Sequence, residues 1–139
     1  VFEKVEYSHK GKEQYSMEIN EITGTIVDSA IKVHSILGPG LLESRYEVCL
    51  VKELTNREVR VRRQVALPVV YEGEVIEAGY RIDLLVEEEV IVELKSVEKL
   101  LPIHEAQLLS YLKLSNKKIG LLLNFNLKYL KNGIKRMAN

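Results

Sequence analysis

The chain has 139 residues, 46% apolar and 29% charged, which suits one globular domain and excludes a disordered chain. Its single cysteine, Cys49, excludes an internal disulfide framework and fits a reducing compartment. Twenty Lys and Arg balance twenty Asp and Glu, and zero net charge taken alone argues against a nucleic-acid binder.

Residues 1–17 show no clear period and are expected to be a partly ordered lead-in to one domain over residues 18–139. Apolar positions recur at helical spacing over 18–37. Gly38-Pro39-Gly40 ends that helix, and a second is predicted over 41–56. Residues 59–64 and 65–71 are rich in β-branched side chains and read as two strands. Glu72-Gly73 marks a turn, and strands follow over 76–86 and 90–95, separated by Glu87-Glu88-Glu89. Val90-Ile91-Val92 is apolar on both faces, so its strand should be central and covered twice. A helix over 103–114, with Ala106, Leu109 and Leu112 toward the core, precedes a buried strand over 119–124. The tail from residue 127 fits a short helix or an edge strand. The predicted order is ααββββαβ, an α/β domain with a mixed sheet. No apolar run is long enough to cross a bilayer and no signal-peptide pattern opens the chain, so a cytoplasmic protein without membrane contact is expected.

The zero charge is a sum of opposed blocks. Residues 72–98 carry nine acids and two bases, whereas residues 113–139 carry seven bases and no acid. Arg60, Arg62 and Arg63 form a further basic cluster. Such blocks are ordinarily solvated faces. They also fit an acidic centre that holds cations, flanked by bases (Arg60, Arg62, Arg63, Lys117, Lys118, Arg136) that meet phosphates.

Glu93 and Lys95 stand two apart on a predicted strand and therefore share a face. If Glu87–Glu89 is a tight turn, Val86 opposes Val90, Asp83 opposes Glu93 and Arg81 opposes Lys95. Opposed carboxylates repel and need a proton or a cation. A hard divalent ion such as Mg²⁺ suits them, and Lys95 would then stand beside it to orient a water or steady an oxyanion. The competing reading is an ordinary charge ladder through the diagonals Asp83–Lys95 and Arg81–Glu93. Gln107 and Tyr111, four apart, share a helix face, with His104 one turn earlier on the same side. Glu43 opens the second helix, where an acid also suits the helix dipole.

The stretch from Gly40 to Tyr46, with Glu43 between them, resembles the motif of the GxxExxY family. Val33-His34, Gln64, the segments 80–86 and 91–95, His104-Glu-Ala-Gln107 with Tyr111, and Gly120 to Phe125 fit the same pattern in order. That family is similar to the PD-(D/E)XK nucleases, whose core runs αβββαβ. The resemblance implies Mg²⁺ or Mn²⁺ on Asp83 and Glu93, with Glu43 assisting directly or through water. It implies Lys95 positioning the attacking water, and Gln107 and Tyr111 touching Lys95 or the nucleic-acid backbone. His34, His104, Tyr46 and Gln64 are additional candidates. The Pro that usually precedes the first Asp is replaced by Ile82. The expected activity is metal-dependent hydrolysis of DNA, before RNA, by a chain that can pair as a homodimer. The alternative is a catalytically silent nucleic-acid-binding or assembly module of the same fold.

Overall fold

Val90, Ile91 and Val92 are fully buried, and the sheet is built around them. The computed structural model describes residues 2–7 and 13–139, with side chains from Met17 onward. In chain order the elements are β1 (Phe2–Tyr7), β2 (Glu13–Met17), α1 (Ile19–Leu37), α2 (Glu43–Asn56), β3 (Val61–Tyr71), β4 (Glu74–Val86) and β5 (Val90–Lys95). Then follow α3 (Pro102–Ser115), β6 (Ile119–Asn124), a 3₁₀ turn (Leu130–Gly133) and β7 (Ile134–Ala138). The main sheet runs β3-β4-β5-β6-β7, with β5 and β6 parallel and the other neighbours antiparallel. It is the expected mixed sheet, and α2-β3-β4-β5-α3-β6 is the expected αβββαβ order. No helix of the described residues is long and apolar enough to cross a membrane.

Alternation along β5 divides two cores. Val90, Val92 and Leu94 pack with Ile22, Ile26, Ala30 and Val33 of α1 and with Tyr46, Leu50 and Leu54 of α2. Ile91 turns the other way and packs with Leu108, Tyr111 and Leu112 of α3. Glu93 and Lys95 share the parity of Ile91, so they lie on the α3 side of the sheet.

The lead-in contains a two-stranded antiparallel pair, β1 with β2, and its remaining residues lie outside the described ones. Two expectations need correction. The stretch expected as two strands is one continuous β3, with Gln64 at φ +51° where a break was read. The core side of α3 is Leu108, Tyr111 and Leu112, whereas Ala106 is exposed. Of the two readings of the tail, the edge strand forms, as β7, preceded by a 3₁₀ turn. The Glu72-Gly73 turn holds, with both residues at positive φ (50° and 80°), as a two-residue hairpin turn requires.

Gly133 packs directly on the end of β6. A Cβ there would stand 2.8 Å from the Asn124 carbonyl oxygen, which is backbone and has no rotamer to change. Gly133→Ala is expected to cost about 1–3 kcal/mol, read as a lower urea midpoint at unchanged slope.

Candidate functional site

The acidic turn sets the register that builds the site. Glu87–Glu89 closes the β4–β5 hairpin, and Val86 opposes Val90, Leu85 opposes Ile91 and Leu84 opposes Val92. The ladder stops there. One step further, Asp83 and Glu93 meet as expected, but through side chains. The Asp83 amide donates to Glu93 Oε2 (2.8 Å), and the Leu94 amide donates to Asp83 Oδ2 (2.9 Å). Each carboxylate thus takes an amide that the ladder leaves unused. The next expected pair, Arg81 with Lys95, lies beyond the β4–β5 ladder, which ends at Leu84 and Val92, and Arg81 donates instead to the Gln64 carbonyl at 3.3 Å. Neither diagonal of the competing charge ladder is an ion pair among the described residues.

Burial makes this pair electrostatically expensive. Glu93 is 4% exposed. Desolvation first, and the Asp83 charge second, push its carboxyl up to about 8. Asp83 is also raised, by burial and then by the charge of Glu47, against the lowering effect of the Leu94 amide. Two hard oxygen donors that resist ionising side by side fit a divalent cation. Among the described residues no group of three or more His, Cys, Asp or Glu is arranged to hold a metal. An ion on Asp83 and Glu93 would therefore complete its shell with water and substrate oxygens, as Mg²⁺ commonly does.

Glu47 is the acid that sequence reasoning missed. It lies one turn beyond Glu43 on α2 and is 6% exposed. Its Oε2 accepts from Arg63 Nη2 (2.7 Å) and Nε (3.0 Å). Its Oε1 accepts from Gln64 Nε2 (2.8 Å), which also reaches Asp83 Oδ1 at 3.4 Å. Gln64 therefore bridges Glu47 to the carboxylate pair, using the left-handed backbone at that residue. Glu43 is exposed in the first turn of α2, on the same face as Glu47, and no hydrogen bond or ion pair joins it to Asp83 or Glu93. The signal that could have found Glu47 is its position beside buried Tyr46, where an acid requires a partner.

Lys95 is half-buried, and its Nζ donates to Gln107 Oε1 of α3 at 3.4 Å. Tyr111, one turn along, is buried. Burial, followed by the charges of Glu93 and Asp83, raises its phenol above the usual range, so it remains a protonated donor beside the pair. The structure thus gathers Asp83, Glu93, Lys95, Gln107 and Tyr111 near one another, with Gln64 reaching Asp83 from Glu47 of α2.

The other candidates stand elsewhere. His34 Nε2 lies 2.7 Å from the Leu127 carbonyl, joining α1 to the segment after β6. His104 Nδ1 accepts from the Leu101 amide (3.0 Å) and caps α3. The Tyr46 hydroxyl donates to the Gly38 carbonyl (2.6 Å) and accepts from the Leu41 amide (3.1 Å), while its ring stacks on Phe125 at 4.6 Å. Tyr46 therefore clamps the Gly38–Leu41 loop. Most of the basic residues expected to meet phosphates are engaged within the protein. Arg60 pairs with Glu87, Arg62 with Glu88 and Arg63 with Glu47. Lys117 donates to the Glu88 carbonyl, and Arg136 reaches Asn20 and Thr23. Of that set, only Lys118 has no such partner among the described residues.

A family model described as the PD-(D/E)XK nuclease superfamily matches residues 20–137, nearly the whole domain. No curated protein and no solved structure matches the chain.

The carboxylate pair carries a pH signature with a definite sign. Folded, Glu93 keeps its proton to about pH 8, whereas in the unfolded chain it releases it near 4.5. The folded state binds the extra proton between these limits, so this contribution to stability is complete below about pH 4.5 and is lost as pH rises through about 8. Cation-free protein is expected to lose several degrees of Tm across that window, and Glu93→Gln to flatten most of the slope. Mn²⁺ should raise Tm more at about pH 8 than at about pH 6, because binding at lower pH must displace a proton.

Proposed function

The chain belongs to the PD-(D/E)XK nuclease superfamily, and from that membership we propose that it is a metal-dependent nuclease of the GxxExxY kind, hydrolysing DNA in preference to RNA. The observation that carries this reading is buried Glu93 held against half-buried Asp83, with Lys95 on the strand face of Glu93. Burying two carboxylates together costs stability, and a domain with only structural duties gains nothing from it.

Asp83 and Glu93 would hold Mg²⁺ or Mn²⁺, with Glu43 assisting through water from the exposed start of α2. When bound, the ion supplies charge to polarise the phosphoryl group and lowers the pKa of a coordinated water. The chain's own part is positional. Lys95, steered by Gln107, orients the attacking water and offsets negative charge as it develops on the phosphoryl oxygens. Tyr111 and Gln107 donate to the backbone of the substrate. Glu47 and Gln64 hold Asp83 from the α2 side and set its orientation. A homodimer would offer one such site to each strand of a duplex.

The silent binding module is less well supported. It relies on Arg60, Arg62, Arg63 and the basic tail for phosphate; the three guanidiniums already meet carboxylates, which leaves the tail, and it gives no reason to keep the Asp83–Glu93 pair.

Incubation with Mn²⁺ and mixed single- and double-stranded substrates is expected to give cleavage that EDTA abolishes. Lys95→Ala and Glu93→Gln should each lower the rate by about 100-fold or more, with the fold retained by circular dichroism. No cleavage under any metal, or cleavage indifferent to Lys95→Ala, would sink the catalytic reading.

A further inference from the structure

A cavity of about 530 Å³ opens between the C-terminal end of α1 and the segment after β6. That volume is in the range of small-ligand sites, about 300–1,000 Å³. Its lining includes His34, Gly38, Pro39, Lys128, Tyr129 and Lys131, and no acid. Nothing in the reading of Asp83 and Glu93 uses it.

Three features give the cavity a chemical preference. Tyr129 is 56% exposed, yet its backbone is pinned on both sides. The Leu127 carbonyl meets His34 Nε2, Leu130 is buried, and the Asn132 amide donates to the Tyr129 carbonyl. An exposed aromatic on a fixed backbone is a preorganised stacking platform. Second, Lys128 Nζ sits 5.4 Å from the centroid of the Tyr129 ring, so a cation and the π face stand together in the lining. Third, neither Lys128 nor Lys131 has a carboxylate partner among the described residues. The cavity therefore offers a π face and uncompensated positive charge together.

The cavity's wall is also tied to the strand that carries Lys95. Gly38 and Pro39 line the cavity. The same loop continues to Gly40, whose amide donates to Asn126 Oδ1, and to Leu41, whose carbonyl accepts from Ser96 beside Lys95.

We propose that this cavity is a nucleotide subsite, in which a base of single-stranded nucleic acid stacks on Tyr129 while Lys131 meets its phosphate. Aromatic platforms with nearby cations are the general means of holding single strands without sequence preference. The proposal rests on the nuclease reading for its ligand class, but its test is one of binding and needs no turnover.

The probe is a fluorescein-labelled oligo-dT titrated by anisotropy into the full chain in EDTA, where metal-dependent cleavage is off. Tyr129→Ala is expected to weaken binding about tenfold, and Tyr129→Phe, which keeps the π face, to stay within about twofold of wild type. Lys131→Ala should reduce the slope of log affinity against log salt by about 0.7, the value for one phosphate contact on a single strand. Wild-type affinity in Tyr129→Ala, equal losses in Tyr129→Phe and Tyr129→Ala, or no binding by the wild type would each overturn the subsite. So would displacement of the oligonucleotide by poly-glutamate as effective as by unlabelled oligo-dT, which would assign the cavity to an acidic protein partner. Tyr129-dependent binding without cleavage in Mn²⁺ would defeat only the catalytic reading, and cleavage with binding indifferent to Tyr129 only the subsite.

Discussion

The structure depends on holding Asp83 and Glu93 against each other at the mouth of a hairpin. Like charges directly opposed on adjacent strands repel, and burial strengthens the repulsion. The chain answers with geometry. The backbone ladder ends one residue early, and the two amides it releases, of Asp83 and Leu94, are given to the carboxylates. Those bonds lower both carboxyl pKa values, but burial outweighs them, and Glu93 still rises to about 8. The remainder is a standing demand for a proton or a cation.

The same hairpin settles the opposed charge blocks. Antiparallel pairing of β3 with β4 brings the end of the Arg60–Arg63 cluster beside the acidic turn, and the residues pair off across it. Arg62 and Glu88 are exposed, so that pair contributes little to stability. Arg60 on Glu87 and Arg63 on Glu47 differ, because the acid is buried in each case. There the arginine prevents an unpaired buried carboxylate, and removing it would leave that cost exposed. One basic cluster is therefore largely spent within the protein. The positive charge left for a ligand shifts to the tail, at Lys118, Lys128 and Lys131.

Much of this was legible in the sequence, for physical reasons that can be named. A three-residue turn between apolar strands fixes register, so Val86 against Val90 could be counted outward to Asp83 and Glu93. Strand parity put Glu93 and Lys95 on one face, and the two-sided apolar run placed β5 at the centre. What stayed illegible depends on backbone that departs from ideal geometry. Gln64 at φ +51° keeps β3 continuous while aiming its amide between Glu47 and Asp83, and no propensity for glutamine predicts that. Ile82 and Leu85 join the same core although simple alternation would separate them, and the break falls at Asp83, across from Gln64. Glu43 and Glu47 were inseparable for a different reason. They are four apart on one face, and only the tertiary position of Arg63 and Gln64 decides which is buried.

The division of labour on α2 follows from its neighbours. At the buried end, Glu47 is saturated by Arg63 and Gln64, so it has little capacity left for a metal and acts on Asp83 through charge and orientation. At the open end, Glu43 is solvated, and its loop is tied to the strand that carries Lys95 by the Ser96–Leu41 bond. Tyr46 lies between them, stacked on Phe125 and bonded to both sides of the glycine turn. Tyr46 therefore holds the loop that lines the Tyr129 cavity at Gly38 and Pro39 and is tied through Leu41 to Ser96. With its hydroxyl bonded to both Gly38 and Leu41, a change at Tyr46 would loosen that loop from both ends.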